Sequence, residues 1–586
     1  MQIKQSGLKS SMGPMKLLLF FFFFSPVLSF SQTTYLPLGS EEYYLLNRIE
    51  IKLQYDSNFI FSKTRPYSLK TIVPAIKDLY DSHVYAYGKK EDRPDTLSTL
   101  VMYSKFSAVD GYNMREVFTN NMEWIGDFTS YRSKKPWGKN FYQTPGTLYE
   151  VHIKDFDLAI NPVLQFQVSK EKGNSETLFL NSRGVTLRGK IANKIGFYSY
   201  VTDNQERDPL YVQQWVGKYK AVPNEGYYKS FKTTGYDYFD ARGYFTFTAA
   251  KYIHVQFGYD KNFIGNGYRS LFLSDFSNNN LFLKLNTRIW RINYQNLFME
   301  LNATEPRGPD RLLRKKYAVV HHLDINLAKS LNIGLFEAVV FGRPDHFEFG
   351  YLNPIIFYRS IEQQNGSADN AFVGLDAKWN VKHAFQFYGQ LLIDEFVLSE
   401  IKENRGSWVN KWGVQAGVKY VDAFKIRNLD LQLETNRVRP FTYSHSDSVA
   451  NYTHYNQPLA PPLGANFQEF IGIARYQPAP RWFLEGKLFY WKQGIDSSNT
   501  VSYGSNIFLP NTFRNMDLGF GVGEQIYQAK TFIASFLLSY ELRQNLFIDA
   551  SAFFRKYDVA ATSTATKTTV ISIGVRLNAI RRVFEF

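Results

Sequence analysis

Cysteine is absent from the 586 residues, which excludes disulfide frameworks, thiol nucleophiles and cysteine-ligated zinc sites. Long apolar runs are also lacking: Leu17–Phe24 is the longest near the start, and it is too short to span a bilayer as a helix. No basic run accompanies the net charge of +15, because the Lys and Arg residues are spread along the chain. Nucleic-acid binding is therefore not indicated.

Catalytic patterns are also missing. The sequence has no G-x-S-x-G motif and only 9 His, none with an obvious Ser partner. The adjacent carboxylates Asp394 and Glu395 would point to opposite faces of a strand, so they cannot act as a glycosidase pair. We therefore expect a protein that is not an enzyme and that carries no cofactor, catalytic residue or metal.

Residues 1–31 have the pattern of an export signal. Met15-Lys16 precedes the apolar run, and Ser29 and Ser31 are the small residues that a signal peptidase reads. Cleavage is predicted before Gln32. Because no cysteine follows the run, no lipoprotein anchor is expected.

From about residue 156 onward, apolar and polar residues alternate along long stretches. In 571–578, Ile571 and Ile573 would face one way while Ser572 faces the other. The stretches are joined in strict rotation by very short turns, often with Lys or Arg, and by long loops rich in Gly, Asn, Asp and Tyr. This pattern predicts an all-β outer-membrane β-barrel. A soluble sandwich or propeller also alternates, but strand length and the two classes of connection disfavour it.

Counting the stretches between turns gives about eighteen antiparallel strands, from 156–170 to 566–579. Because this number is even, both ends of the chain are predicted on the short-turn, periplasmic side. The stretch 514–524 is either a further strand or part of a loop. Aromatic residues make up 17% of the chain, as girdles at the two membrane interfaces require. The terminal Phe586 is typical of barrels that outer-membrane machinery assembles, so we expect the chain to end in the closing strand.

Residues 32–140 differ from the rest. Leu69, Ile72 and Ile76 recur at helical spacing, and so do Phe118 and Met122. The chain is therefore divided into an export signal (1–31), a small N-terminal periplasmic α-helical module (32–140) and a transmembrane barrel (141–586). The module could cap the periplasmic mouth, plug the lumen or bind a periplasmic protein through residues 33–140.

Five long loops, 207–238, 262–278, 343–368, 441–465 and 494–526, are expected to carry function. Two of them place aromatic rings beside amides and carboxylates, a combination that suits sugars. The same Tyr residues could instead form the outer girdle or fold the loops together. His445, Asp447 and His454 match no strong metal-ligand spacing.

Several blocks of the sequence resemble one family. Residues 258–275, GYDKNFIGNGYRSLFLSD, are similar to a segment of the Wzi-like capsule assembly proteins. The blocks 337–342, 350–355 and 369–376 follow in the same order, in the form found in Bacteroidota, which includes the RemB-type gliding motility protein. The resemblance implies an eighteen-stranded outer-membrane barrel with an N-terminal helical bundle. It also implies a non-enzymatic protein that binds capsule or exopolysaccharide and, in the gliding relatives, supports surface motility.

The candidate ligand-binding residues are polar residues of these blocks near the long-loop mouth: Asp260, Lys261, Arg269, Asp275, Arg343, Asp345, Arg359, Asp369 and Asn370. Expected partners are surface polysaccharide, outer-membrane lipid and lipopolysaccharide, and a periplasmic protein, with no nucleic acid. Two other functions stay open. One is a porin or substrate-selective channel, with lumen charges such as Arg343, Arg359, Asp376 and Lys378. The other is an accessory subunit of an outer-membrane secretion or motility complex.

Overall fold

The computed structural model describes residues 32–87, 105–134, 136–304, 312–343, 346–366, 369–496, 498, 500–524, 527–562 and 564–586. The predicted export signal lies outside these ranges. Within them, no helix is both long enough and apolar enough to cross a membrane.

Eighteen antiparallel strands form a closed barrel, which confirms the predicted fold class and strand number, and two short strands, Tyr149–Ile153 and Lys229–Phe231, pair with barrel strands in the same sheet. The last strand pairs with the first, so the sheet has no free edge. In chain order the strands are β1 Phe156–Glu171, β2 Thr177–Ile191, β3 Ile195–Arg207, β4 Gly235–Ala250, β5 Ile253–Asp260, β6 Asn280–Ile289, β7 Ile292–Asn302, β8 Lys315–Asn326, β9 Leu331–Phe341, β10 Asn370–Val381, β11 Phe385–Glu395, β12 Lys411–Tyr420, β13 Leu429–Val438, β14 Phe467–Tyr476, β15 Trp482–Gly494, β16 Gln528–Arg543, β17 Leu546–Val559 and β18 Thr564–Leu577.

The side chains alternate between the outer wall and the lumen as the sequence predicts. On β18, Ile571 and Ile573 are 66% and 63% exposed on the outer wall, while Ser572 lines the lumen. A lipid-facing wall requires apolar side chains at every second position. The fold is therefore that of an outer-membrane β-barrel.

The two classes of connection lie at opposite ends of the barrel. At the short-turn end, Ala192 and Asn193 both have positive φ, and so do Lys382 and His383. Two consecutive residues of this kind form the tight hairpin turns that match the twist of a sheet. The segment 514–524, which could have been a strand, is part of the connection between β15 and β16.

Within the part of the chain that the structure describes, six α-helices accompany the barrel. Three of them, α1 Glu42–Leu53, α2 Leu69–Tyr87 and α3 Ala108–Asn120, lie in the region predicted to be helical and share an apolar core. A capping box between Ser107 and Asp110 begins α3. The other three lie in long connections: α4 Leu210–Tyr219, α5 Tyr358–Gln364 and α6 Leu398–Glu403.

The N-terminal helices are anchored to the short-turn end of the barrel by buried ion pairs. Arg48 on α1 lies 2.8 Å from Asp110 on α3 and 3.0 Å from Asp422, in the turn between β12 and β13. Lys63, between α1 and α2, reaches into the lumen, where it pairs with Asp324 and Asp376. The helices therefore close this end of the barrel. The domain boundary at residue 140 stays a prediction.

The connection between β9 and β10 was expected at the mouth, but residues 346–366 fold over the outer wall instead. We call this segment the outer strap. The Tyr294 hydroxyl and the Asn296 amide of β7 donate to the Pro354 carbonyl at 2.7 and 3.0 Å. Asn293 donates to Thr64 inside the lumen, so its neighbour Tyr294 must face outward. The prediction that this loop lies in the mouth was wrong.

The outer strap covers polar groups that would otherwise face lipid. The Tyr358 ring lies 3.8 Å from the His321 ring, and the Arg359 backbone N–H donates to the Glu337 carboxylate at 3.0 Å. The strap's own outer surface is apolar, since Phe349 and Ile355 are 75% and 86% exposed. The strap thus satisfies the Asn296 amide and the Glu337 carboxylate, which would be costly to leave unsatisfied in hydrocarbon, and it covers the His321 ring with an aromatic ring.

Candidate functional site in the barrel lumen

The connection between β5 and β6, residues 261–279, turns inward and crosses the lumen; we call it the inward loop. Its apolar residues Leu271 and Phe272 are fully buried, and Phe272 stacks on the Phe336 ring of β9 at 4.3 Å. The Leu271 N–H donates to the Gln390 side chain of β11 at 2.8 Å. An apolar core therefore fills part of the lumen, which a water-filled barrel would not contain.

A second long connection, residues 439–466, fixes the inward loop from above. The hydroxyls of Tyr443 and Tyr452 donate to the carbonyls of Leu271 and Phe272, both at 2.8 Å. Both Tyr rings are buried. Both belong to one of the two aromatic-rich loops, and here they hold the loops together and are not exposed for contact with sugar.

His454, in the same connection, was a weak metal-ligand candidate from the sequence. In the structure it joins this connection to β7 and to the inward loop. His454 Nδ1 accepts from the Asn302 N–H at 3.0 Å, and its Nε2 donates to the Asn279 carbonyl at 3.0 Å. Both ring nitrogens are therefore occupied. Among the residues that the structure describes, no cluster of three metal-ligating side chains occurs.

The C-terminal residues 578–586 also enter the lumen, and we call them the tail. Arg582 lies between Glu206 on β3, at 3.1 Å, and Glu225, at 2.7 Å. The Phe586 ring packs against Trp215 on α4 at 5.5 Å. The expectation that Phe586 ends the closing strand was wrong: β18 closes the barrel and stops at Leu577.

The tail and the inward loop hold each other in place. Glu585 pairs with Lys487 of β15 at 3.1 Å, and its carbonyl accepts from Arg269 of the inward loop at 2.6 Å. Arg269 also pairs with Glu469 of β14 at 3.0 Å. At the other end, residues Thr64 and Arg65 form a two-residue sheet with Phe263 and Ile264 of the inward loop. We call the inward loop and the tail together the plug. Through Thr64 and Arg65 it contacts the N-terminal region at the short-turn end, and through the connection 439–466 it contacts the long-loop end.

A chamber of about 460 Å³ remains between the plug and the wall of β1–β4 and β16–β18. This volume falls within the range of about 300–1,000 Å³ typical of ligand sites. Charged side chains of both signs line it, including Asp208, Glu225, Asp240, Arg242, Lys261 and Asp275.

Two carboxylates of the chamber keep acceptor capacity. Asp275, on the inward loop, is half-buried and makes no hydrogen bond or ion pair with another described residue. Asp208, at the end of β3, is 5% exposed, and its Oδ2 lacks a hydrogen-bond partner among the described residues. Burial, with the nearby charge of Glu206, raises the pKa of Asp208 well above its ordinary value. Burial, with the charge of Asp240, also raises the pKa of Glu225 to about 7.

The predicted site residues are not all in one place. Lys261, Arg269 and Asp275 line the chamber, and Asp260 ends β5 just before them. Arg343 instead pairs with Asp369 at 2.7 and 2.9 Å, and Asn370 donates to the Ala450 carbonyl, so these three fasten loops at the long-loop end.

Arg359 belongs to the outer strap and pairs with Glu362 at 2.8 Å, so its placement in the mouth was wrong. Asp345 lies outside the described residues. Asp376 and Lys378 do face the lumen, as expected, but pair there with Lys63 and Glu50. Sequence reasoning missed Asp208 and Glu225, which belong to no family-like block and have no periodic signal.

Comparisons with known proteins give a match in fold only. No family model matches the chain, and no curated protein matches it in sequence. Wzi of Escherichia coli, an outer-membrane protein involved in group 1 capsule assembly and described as a carbohydrate-binding β-barrel, is similar with a TM-score of 0.55 and 12% identity over 93% of this chain and 100% of that chain.

Two further barrels are similar at a lower level. OprD of Pseudomonas aeruginosa has a TM-score of 0.40 and 11% identity over 72% of this chain and 96% of that chain. OccAB2 of Acinetobacter baumannii has a TM-score of 0.40 and 11% identity over 72% of this chain and 97% of that chain.

Proposed function

We propose that this outer-membrane barrel binds surface polysaccharide and holds it at the cell, as capsule or exopolysaccharide. The observation that carries the proposal is the plugged lumen: the inward loop and the tail occupy the space that a porin would leave open. A barrel without a wide aqueous path is better suited to binding than to bulk transport. The likeness in fold to a carbohydrate-binding barrel supports the same function.

The chamber is the proposed contact site. Sugars present hydroxyl donors, and carboxylates with free lone pairs accept from them. Asp275 and Asp208 offer such acceptors, while Lys261 of the inward loop and Arg242 of β4 supply donors in the same chamber. We assign Asp275 as a contact residue and Arg269 as a positioning residue, because Arg269 is held by Glu469.

The finer version of the proposal rests on the sequence blocks alone. It assigns the chain to the Bacteroidota form of the Wzi-like proteins and gives it a part in surface motility through the same contact with polysaccharide. Binding of a periplasmic protein through residues 33–140 belongs to this version, as do export through residues 1–31 and the absence of catalysis.

The test measures polysaccharide retention and conductance on the same preparations. Wild-type protein should sediment with surface polysaccharide from its own cells and should be almost silent in planar bilayers. Asp275→Asn, which keeps the size of the side chain, should weaken retention about tenfold. Lys315→Gln, on the outer wall, is the matched control and should retain polysaccharide normally.

Heat-modifiable gel mobility verifies that each variant forms a folded barrel. A large, stable conductance together with no retention would replace the binding function with a channel. Normal retention by Asp275→Asn would remove the chamber as the site.

A further inference from the structure

Basic side chains form a row on the outer wall at the long-loop end of the barrel. Arg437 of β13 lies opposite Gln468 of β14, which lies opposite Lys492 of β15, which lies opposite Lys530 of β16. On the next two strands, Lys556 of β17 lies directly opposite Lys567 of β18. Lys170 of β1 lies opposite Ile571, four residues along β18 from Lys567, and its ammonium also donates to the Ser175 carbonyl at 3.1 Å. We call the basic belt the set Arg437, Lys492, Lys530, Lys556, Lys567 and Lys170.

The alternation of each strand shows that the belt faces outward. Trp491 and Thr531, next to Lys492 and Lys530, are 2% and 1% exposed and point into the lumen. The guanidinium of Arg555, next to Lys556, lies 4.7 Å from the ring of Tyr211, which packs against the tail inside the barrel. Since neighbours on a strand point to opposite faces, the belt lysines lie on the lipid side.

Directly below the belt, the outer wall is apolar. Tyr490 lies two positions before Lys492 on β15, and Phe532 lies two positions after Lys530 on β16, so both face outward. Leu488 and Phe536 are the next outward residues on the same two strands. On β18, Lys567 is followed at outward positions by Thr569, Ile571 and Ile573. The lysines therefore stand where the hydrocarbon band ends and the headgroup layer begins.

The belt contains more positive charge than the protein itself neutralises. Its ion pairs within the described chain are Lys556 with Asp558 at 3.8 Å and Lys492 with Glu524 at 3.6 Å. Both side chains of the Lys556–Asp558 pair are exposed, so that pair is weak. Arg437, Lys530 and Lys567 have no ion pair within 4.0 Å among the described residues, and the one carboxylate directly opposite Lys530 is Asp558, which already pairs with Lys556. Like charges directly opposite each other on a sheet are destabilising, so the pairs Lys492–Lys530 and Lys556–Lys567 call for an external anion.

Two outward basic side chains of other strands form ion pairs within the protein. Arg183 lies 3.0 Å from Asp203, and Lys315 lies 2.8 Å from Glu300. The belt itself occupies one sector of the wall, from β13 through β18 to β1. The five steps from β13 to β18 span about 24 Å at the usual strand spacing.

We propose that the basic belt binds the phosphate groups of a phosphorylated, multiply acylated saccharide of the outer leaflet, a glycolipid of the lipid A type. Lysine ammonium groups donate charge-assisted hydrogen bonds to phosphate oxygens. The apolar columns beneath the belt contact the acyl chains of the same molecule. A span of about 24 Å accommodates a broad headgroup with several acyl chains better than the narrow headgroup of a phospholipid.

The experiment uses the full-length protein in phosphatidylcholine nanodiscs that contain one added lipid: diphosphorylated lipid A, its dephosphorylated form, or phosphatidylglycerol at matched charge. Co-isolation of each lipid with the barrel is measured by mass spectrometry. The belt variant carries K492Q, K530Q, K556Q and K567Q. The control carries R183Q and K315Q, which remove two outward basic residues that do not belong to the belt.

Wild-type and control proteins should retain diphosphorylated lipid A at least about tenfold more strongly than the belt variant, and the dephosphorylated form weakly. Equal retention by wild-type and belt variant would overturn the site. Equal retention of phosphatidylglycerol by the wild type would overturn the assignment to a glycolipid. If the belt variant does not fold by gel mobility, K530Q and K567Q as single substitutions should each lower lipid A retention, and unchanged retention in both would overturn the proposal.

Discussion

Arg269 of the inward loop and Glu469 of β14 form a buried ion pair, with Nη2 and Oε1 3.0 Å apart. Glu469 is fully buried, and Arg269 also donates to the carbonyl of Glu585. One side chain thus connects the wall, the inward loop and the tail. The three elements are expected to loosen together when this pair is broken.

Replacing Arg269 with Ala leaves the Glu469 carboxylate buried without its partner. Breaking a buried pair in this way costs about 3–5 kcal/mol. We expect the barrel to assemble, because β14 keeps its strand neighbours, while the inward loop becomes mobile and conductance in planar bilayers rises. The control variant Arg183→Ala, which removes an exposed ion pair, should show no increase in conductance. If Arg269→Ala also shows no increase, other contacts suffice to hold the plug.

Removing residues 579–586 should leave assembly intact, because the closing strand β18 ends at Leu577. The loss of Arg582 and Glu585 breaks ion pairs to the wall, so conductance should increase. Heat-modifiable mobility and membrane abundance measure assembly. Removal of residues 571–586, which deletes half of β18, should abolish the folded form and serves as the comparison. Failure of the shorter truncation to assemble would give the tail a role in barrel biogenesis.

Replacing residues 347–364 with a short Gly-Ser linker removes the outer strap and exposes Asn296, His321 and Glu337 to lipid. Arg or Lys on the lipid face costs about 2–4 kcal/mol at mid-membrane and Asp or Glu costs less, and each polar group left without a hydrogen-bond partner in hydrocarbon adds to the cost. We expect folded protein to fall sharply in abundance. Adding Asn296→Leu, His321→Leu and Glu337→Leu to the same deletion should restore it. No restoration would mean that the strap contributes by its own packing and not by covering polar groups.

The attachment of the N-terminal helices should depend on pH through Glu116 of α3. Burial, with the charge of Glu541, raises the pKa of Glu116 from its ordinary value of 4.5 to about 8. The folded state therefore binds the proton more tightly than the unfolded state, so stability is lost as the pH rises between these two values. Each unit of difference is worth about 1.4 kcal/mol.

Limited proteolysis of the helices at about pH 5 and about pH 9 measures this effect, with faster cleavage expected at the higher pH. Glu116→Gln should remove most of the dependence, because it keeps the neutral form at both values. Equal pH dependence in wild type and variant would assign the effect to another group.

Much of the fold could be predicted from local pattern. The outward columns such as Ile571 and Ile573 and the tight turns such as Ala192–Asn193 identify strands and their order, because lipid on one face and water or protein on the other imposes a period of two. The helical spacing of Leu69, Ile72 and Ile76 identified a separate element. Barrel closure then follows, because an unpaired edge is not tolerated in a membrane.

The candidate site was only partly predictable. The family-like block contains Lys261, Arg269 and Asp275, which do line the chamber, yet Arg359 from another block lies on the outer wall. Loops carry no period, so their direction is set by which apolar surface they can cover: Phe272 finds the Phe336 ring inside the lumen, whereas Tyr358 covers His321 outside.

The sequence by itself determined a closed, eighteen-stranded barrel with helices at one end. One face of each strand contacts lipid and the other contacts the lumen, so apolar and polar residues alternate along it. Only the tertiary structure decided that the lumen is plugged and which carboxylates stay unpaired in the chamber. It also decided that the basic residues of β13–β18 and β1 form one belt. These properties depend on register and on contacts between residues such as Arg269 and Glu469, which lie far apart in the chain and become neighbours only when the barrel closes.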